Sequence, residues 1–220
     1  MAYIDFISPL HKKTKRDYLG RVNEFPKAEA AKVACQFGKD YWDGDRKYGY
    51  GGYKYDGRWR AVADLLAQHY QLKPGDKVLD VGCGKAFLLH DLTQAVPGIN
   101  IRGVDISQHG IDTAKEETRP FLQLADAAKL PFPDHFFDLV ISVNALHNLP
   151  CEKLESALKE IERVGKKNKY LVVESFRNEE EKVNLLYWQL TCRSFYSPQD
   201  WEWWFRHCNY KGDHSFIYFE

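Results

Sequence analysis

Residues 78–84 of the 220-residue chain read Val-Leu-Asp-Val-Gly-Cys-Gly, an apolar run that breaks into glycines. Gly82 and Gly84 would let the backbone turn sharply and approach a ligand, and a helix that follows offers unpaired N–H groups and the positive end of its dipole. Such a turn can hold a carboxylate or a phosphate, although a glycine pair alone also suits a plain strand-to-helix turn. The next apolar run ends in Gly103-Val104-Asp105, about twenty residues on. An acidic side chain at that point can take both hydroxyls of a ribose, while a strand-end aspartate can also be a helix cap. Glycine loop and aspartate together favour an adenosine-bearing ligand. Farther on, Ser142 to Leu149 contains His147, the titrating residue of that stretch, able to accept a proton near neutral pH or merely to hydrogen-bond its neighbours.

Apolar runs and amphipathic stretches alternate from residue 57 to 176. Helices are expected at 59–70, 85–95, 108–117 and 152–163, and strands at 77–81, 99–104, 121–125, 137–142 and 169–174. Continuous apolar strands interleaved with helices mean a parallel sheet covered on both faces. The expected fold is therefore α/β: a doubly wound, mostly parallel sheet of six or seven strands with helices on both faces, plus an N-terminal helical and aromatic lid segment. Beyond the sheet, helices at 179–190 and 198–207 and a strand near 215–219 are expected, with Trp201, Trp203, Trp204 and Phe205 on the buried face of the second helix. Upstream, a helix at 27–37 should end at Gly38 as a left-handed cap. The chain divides into a 1–56 extension and a 57–220 domain carrying an acceptor-side insert at about 176–197.

Three linked motifs, Val78 to Gly84, Gly103 to Asp105, and Ala125-Asp126-Ala127 leading into Leu130-Pro131-Phe132-Pro133-Asp134 and Phe136 to Val140, resemble those of the class I S-adenosylmethionine-dependent methyltransferases. The resemblance covers about residues 72–176. It implies that Gly82 and Gly84 line the methionine portion of S-adenosylmethionine, that Asp80 supports the loop and the donor's ammonium group, that Asp105 takes the ribose, and that Asp126 with the Ala127 backbone reads the adenine. Ile106 and Asn144, each just past a strand, join the expected donor contacts. The family often has a third glycine where this chain has Ala86. A dinucleotide site would want a small residue at 87, and Phe87 argues against NAD. In related methyltransferases the stretch after the fourth strand lies beside the transferring methyl, so His147 is the expected catalytic base, with Tyr50 as its counterpart from the lid.

Lysine and arginine (31) balance aspartate and glutamate (31), which leaves no overall pull toward nucleic acid or an anionic membrane. The basic stretch 11–16 is expected to be a solvated arm. No run approaches the roughly 20 apolar residues of a membrane helix, no signal peptide is visible, and five scattered cysteines lack metal-site spacing, so a cytoplasmic protein with reduced thiols and no metal is expected. Aromatic residues crowd near 41–59 and 187–205. The first crowd is too aromatic for disorder and too glycine-rich for a regular element, which suits a lid that excludes water. With Asp43, Asp45, Asp56, Arg46, Arg58, Glu174 and Arg177 interleaved, the rings suit a small polar acceptor, an amine or a hydroxyl or sugar, bound between the lid and 187–196. A homodimer is compatible with the sequence. The competing readings are a protein or RNA methyltransferase, an aminopropyl transferase, and a donor-binding scaffold without chemistry.

Overall fold

The computed structural model describes residues 1–11 and 16–220. The basic stretch expected to be a solvated arm falls largely outside the described residues. The chain opens with short helices α1 (Ser8–His11), α2 (Tyr18–Asn23), α3 (Lys27–Ala34) and α4 (Lys39–Asp43), then α5 (Arg60–His69). Strand and helix then alternate: β1 (Lys77–Val81), α6 (Phe87–Ala95), β2 (Asn100–Asp105), α7 (Gln108–Asp112), β3 (Leu122–Leu124), β4 (Phe137–Val143), α8 (Cys151–Val164) and β5 (Gly165–Glu174). The last elements are α9 (Glu179–Trp188), α10 (Pro198–His207) and β6 (Asp213–Ile217).

All six strands run parallel in the order β3-β2-β1-β4-β5-β6. Beyond β6 the chain's own beginning adds a parallel bridge, Tyr3 to His214. Alternate strand residues feed two cores. Val78, Leu139, Ile141 and Val172 pack with Val62 and Leu66 of α5 and Leu89 and Leu92 of α6, whereas Leu79, Val140, Leu171 and Val173 pack against α8 and α10. In α8 the buried Leu154, Ala157, Leu158, Ile161 and Val164 recur at three- and four-residue steps, one stripe of a helix laid on a sheet. Phe6 and Ile7 enter the first core, so the N-terminal segment packs as part of the same body.

Several boundaries differ from the sequence expectation for local reasons. The left-handed residue after α3 is Phe37 (φ 50°), not Gly38, which is extended and begins α4. Phe37 is held there because its carbonyl accepts from Ser107 Oγ (2.5 Å) and Trp42 Nε1 (3.1 Å), a tertiary demand invisible in local sequence. The Tyr/Gly-rich segment does contain regular turns: α4 and a 3-10 turn at Arg46–Tyr48, whose Lys47 amide donates to the Asp45 side chain. The helix expected at 108–117 stops at Asp112, and a 3-10 turn holding Pro120 takes the start of the third strand. In α10, opened by a Ser197/Asp200 capping box, Trp201 and Phe205 are buried one turn apart, while Trp203 is 52% exposed and lies outside the core.

Candidate functional site

The strand order reverses between β1 and β4, and open α/β sheets bind ligands beyond the carboxyl ends of their strands at such a point. A cleft lies there. Asp80, Gly82, Gly84, Asp105, Ile106, Asp126, Ala127 and Asn144 all border it, so the eight residues expected to contact a donor converge in one place.

The loop after β1 is shaped by left-handed residues: Gly82 (φ 80°), Gly84 (φ 54°) and also Ala86 (φ 55°). A side chain at Gly82 would place its Cβ 2.2 Å from the Ala145 Cβ, and one at Gly84 would meet the Trp42 ring at 2.6 Å. Both glycines therefore serve close packing as well as the turn. Ala86 shows why a glycine suits its position, since an L-residue in that region costs about 1–2 kcal/mol. Asp105 holds the loop from the next strand, accepting from the Gly84 amide (2.7 Å) and the Ser107 amide (2.7 Å). Burial nonetheless raises its pKa. Asp126 accepts from Ala128 N (2.9 Å) and Lys153 Nζ (2.7 Å); burial opposes ionisation, but those partners hold its pKa below the ordinary value.

Asp80 has a different environment. It is 4% exposed, and its Oδ1 has no hydrogen-bond partner among the described residues. Burial, aided by the Asp105 charge, pushes its pKa up to about 8. A buried carboxylate oxygen without a partner, beside a glycine turn, fits a ligand ammonium group.

The Tyr/Gly-rich segment forms the cleft's outer wall. Trp42 lies on Gly84 and donates to Ser107 Oγ (2.8 Å), while Asp43 joins Lys85 (2.7 Å) and His109 (2.8 Å). Trp42 and Tyr50 stack with ring centres 5.1 Å apart. On the far side of Tyr41, Tyr50, Tyr53, Trp59 and Asn144 is a second cavity, which reaches Glu174, Trp188 and Gln189. Tyr50 borders both spaces; it is 37% exposed, and the protein crowded around its hydroxyl, with the neighbouring Tyr41, raises its pKa.

His147 borders neither space. Its ring stands behind the wall, 2% exposed, with Nδ1 accepting the Glu174 amide (3.4 Å) and Nε2 lying 3.3 Å from Glu174 Oε2. Burial pushes its pKa down to about 3, so it is neutral and carries no proton switch near pH 7. Glu174, at the end of β5, does face the second cavity. Burial pushes its carboxyl up to about 8 despite the Arg16 charge, and Gln189 donates to Oε1.

Of the charged residues read as interleaved with the rings, Arg46, Arg58 and Glu174 border the second cavity, whereas Asp43 pairs with Lys85 and Arg177 pairs with Glu181 and Glu220. The expected acceptor stretch 187–196 divides likewise: residues 188–191 line the cavity, while Tyr196 turns to Cys151 and Trp201. Sequence reasoning passed over Arg21 and Lys153. Lys153 carries a usable signal, one turn into the helix that follows the fourth strand.

A doubly wound parallel sheet with a glycine loop after its first strand and an acid ending its second is consistent with the Rossmann-like fold of class I S-adenosylmethionine-dependent methyltransferases. Residues 79–173 match the family described as a methyltransferase domain, and this core is a domain of that class, whose cofactor is S-adenosylmethionine. The chain is 37% identical to a sterol 24-C-methyltransferase of Gibberella zeae over 49% of its length and 30% of the relative's. It is 32% identical to a tRNA (carboxymethyluridine(34)-5-O)-methyltransferase of Arabidopsis thaliana over 59% of its length and 30% of that protein's. The chain spans less than half the length of the curated relatives it matches. A crystal structure of an S-adenosylmethionine-dependent methyltransferase from Archaeoglobus fulgidus superposes with a TM-score of 0.54 at 24% identity, covering 69% of each chain, and shares the fold. No helix among the described residues is long and apolar enough to cross a membrane.

Proposed function

We propose that the protein transfers a methyl group from S-adenosylmethionine to a small polar acceptor held in the second cavity. The observation that carries this reading is the shared wall: Tyr41, Tyr50, Tyr53, Trp59 and Asn144 border both spaces, so a donor in one and an acceptor in the other would meet there. Bound in the first cleft, the donor supplies an electrophilic methyl on a sulfonium. Asp80 would hold its ammonium group, Gly82 and Gly84 its methionine portion, Asp105 the ribose hydroxyls, and Asp126 with Ala127 and the adjacent Ile106 the adenine end.

In-line displacement needs positioning and exclusion of water more than covalent chemistry. The aromatic wall supplies both. A hydroxyl acceptor must also lose its proton as the O–C bond forms and the C–S bond breaks. Glu174 is the acid that faces that side, so we assign it the proton, with His147 and Gln189 as positioning residues. Tyr50 stays neutral and orients the acceptor from the lid.

The tRNA-modifying relative favours a second reading, a nucleic-acid acceptor. Labelled S-adenosylmethionine incubated with the protein and fractionated cell extract separates the two. Label in the small-metabolite fraction is expected; label confined to RNA or protein would overturn the small-acceptor reading, and donor binding without any labelled product would leave a scaffold.

A further inference from the structure

Three arginines converge on one ring that borders the second cavity. The Cζ atoms of Arg21 and Arg46 each lie 5.3 Å from the centre of the Trp188 ring and that of Arg16 lies 5.7 Å from it, so no two are more than about 11 Å apart. All four residues border the cavity. They arrive from separate places: Arg16 from before α2, Arg21 from α2, Arg46 from the 3-10 turn and Trp188 from the end of α9.

Carbonyls hold two of these cations in place. Arg21 donates to the Arg46 carbonyl (2.6 Å) and the Trp188 carbonyl (3.4 Å), and Arg46 donates through Nη1 to the carbonyls of Gly49 (2.8 Å) and Tyr50 (3.0 Å). Among the described residues neither forms an ion pair with a carboxylate. Glu24 lies near enough to favour the Arg21 charge, and Glu174, which borders the same cavity and is engaged by Gln189 and His147, also feels the Arg16 charge. Burial lowers the pKa of both guanidinium groups, and Arg46 adds its repulsion to Arg21. Gathering like charges in a half-buried space is unfavourable until an anion arrives, and a guanidinium fork matches the paired oxygens of a carboxylate or phosphate. An ammonium ligand, by contrast, would meet a tryptophan already surrounded by cations.

We infer that Arg16, Arg21 and Arg46 around Trp188 form the anion-binding end of the acceptor cavity, so that the methyl acceptor carries a carboxylate or phosphate group. The inference rests on the methyl-transfer reading above. The anion anchors the far end of the acceptor, and its hydroxyl or amine reaches back toward Asn144 and Glu174.

Titration calorimetry on the full chain saturated with S-adenosylhomocysteine tests this with three probes of similar ring shape: phenyl phosphate, benzoate and neutral benzamide. At least one anion should bind about tenfold or more tightly than benzamide, and the better of the two identifies the group. Arg46→Gln should shrink that preference to within about twofold, and because Arg46 also holds the Gly49 and Tyr50 carbonyls, the probes are compared within the variant at saturating S-adenosylhomocysteine. Should Arg46→Gln not fold, Arg46→Lys keeps the charge but not the fork and should lose part of the preference. Equal binding of all three probes beside bound S-adenosylhomocysteine, or a full preference retained in Arg46→Gln, would overturn the inference and leave the arginines as clamps on loop carbonyls. Failure of S-adenosylhomocysteine to bind at all would instead overturn the methyl-transfer reading.

Discussion

The two spaces that meet at Asn144 are built from opposite materials. On one side Asp80, Asp105 and Asp126 sit at or just past strand ends, fixed by the sheet; on the other Arg16, Arg21, Arg46 and Arg58 come from short turns and helix ends that precede it. Acids gather where a cationic donor is expected and arginines where the acceptor is expected. A chain with 31 basic and 31 acidic residues thus conceals a strongly divided field. The lesson is that balanced net charge limits long-range steering but says nothing of local complementarity.

The largest effect that would sharpen this contrast is expected at its boundary. Glu174→Gln should lower turnover of a hydroxyl acceptor by about 10²–10⁴, because the group assigned the proton is lost. Since the Glu174 carboxyl is pushed up to about 8, wild-type turnover should climb with pH and level off above that value, whereas the variant should be flat. A variant that keeps both rate and pH profile would return the proton to another group.

On the acidic side, Asp105→Ala should weaken S-adenosylhomocysteine by roughly 30–100-fold, about 2–3 kcal/mol, since it removes charge-assisted bonds to the ribose. The same carboxylate also holds the Gly84 and Ser107 amides, so circular dichroism must accompany the calorimetry. Undiminished affinity in a folded variant would break the donor-side assignment.

The smaller, third effect is in pH. Asp80 must be ionised to pair with an ammonium group, so S-adenosylhomocysteine affinity should rise about tenfold per pH unit up to the Asp80 pKa of about 8. Folding stability should move the opposite way. The Asp80 pKa is raised in the folded state, so its contribution is fully present below the unfolded value of roughly 4 and is lost as pH rises through about 8. Asp80→Asn should therefore raise the melting temperature of the ligand-free protein by a few degrees at pH 8, while removing the pH dependence of binding. A melting temperature that falls would mean that the charge is stabilised by groups not seen around it.

The acidic side was far more legible in the sequence than the basic side, for a physical reason. Asp80, Gly82, Gly84, Asp105 and Asp126 belong to strand-turn-helix units whose geometry is local, so spacing alone brings them to one edge of the sheet. The covering of both sheet faces follows from the same alternation, whereas the order of strands does not. The relation of His147 to Glu174 spans 27 residues and depends on neighbouring strand ends, and nothing local separates a histidine facing a cavity from one facing the wall behind it. The convergence of Arg21 and Arg46 on Trp188 spans more than a hundred residues and uses no periodic pattern. Trp203 fails for a simpler cause, since four aromatic residues within 201–205 cannot all occupy one helical stripe.

Trp42 gives the donor site an optical handle. Its indole touches the loop at Gly84, stacks on Tyr50 and donates to Ser107, so a purine nucleoside entering the cleft changes the polarity around that chromophore before any chemistry occurs. The emission difference between the wild type and Trp42→Phe would isolate it from the other five tryptophans. Donor arrival and product departure can then be timed in stopped flow without a label and without knowing what is methylated.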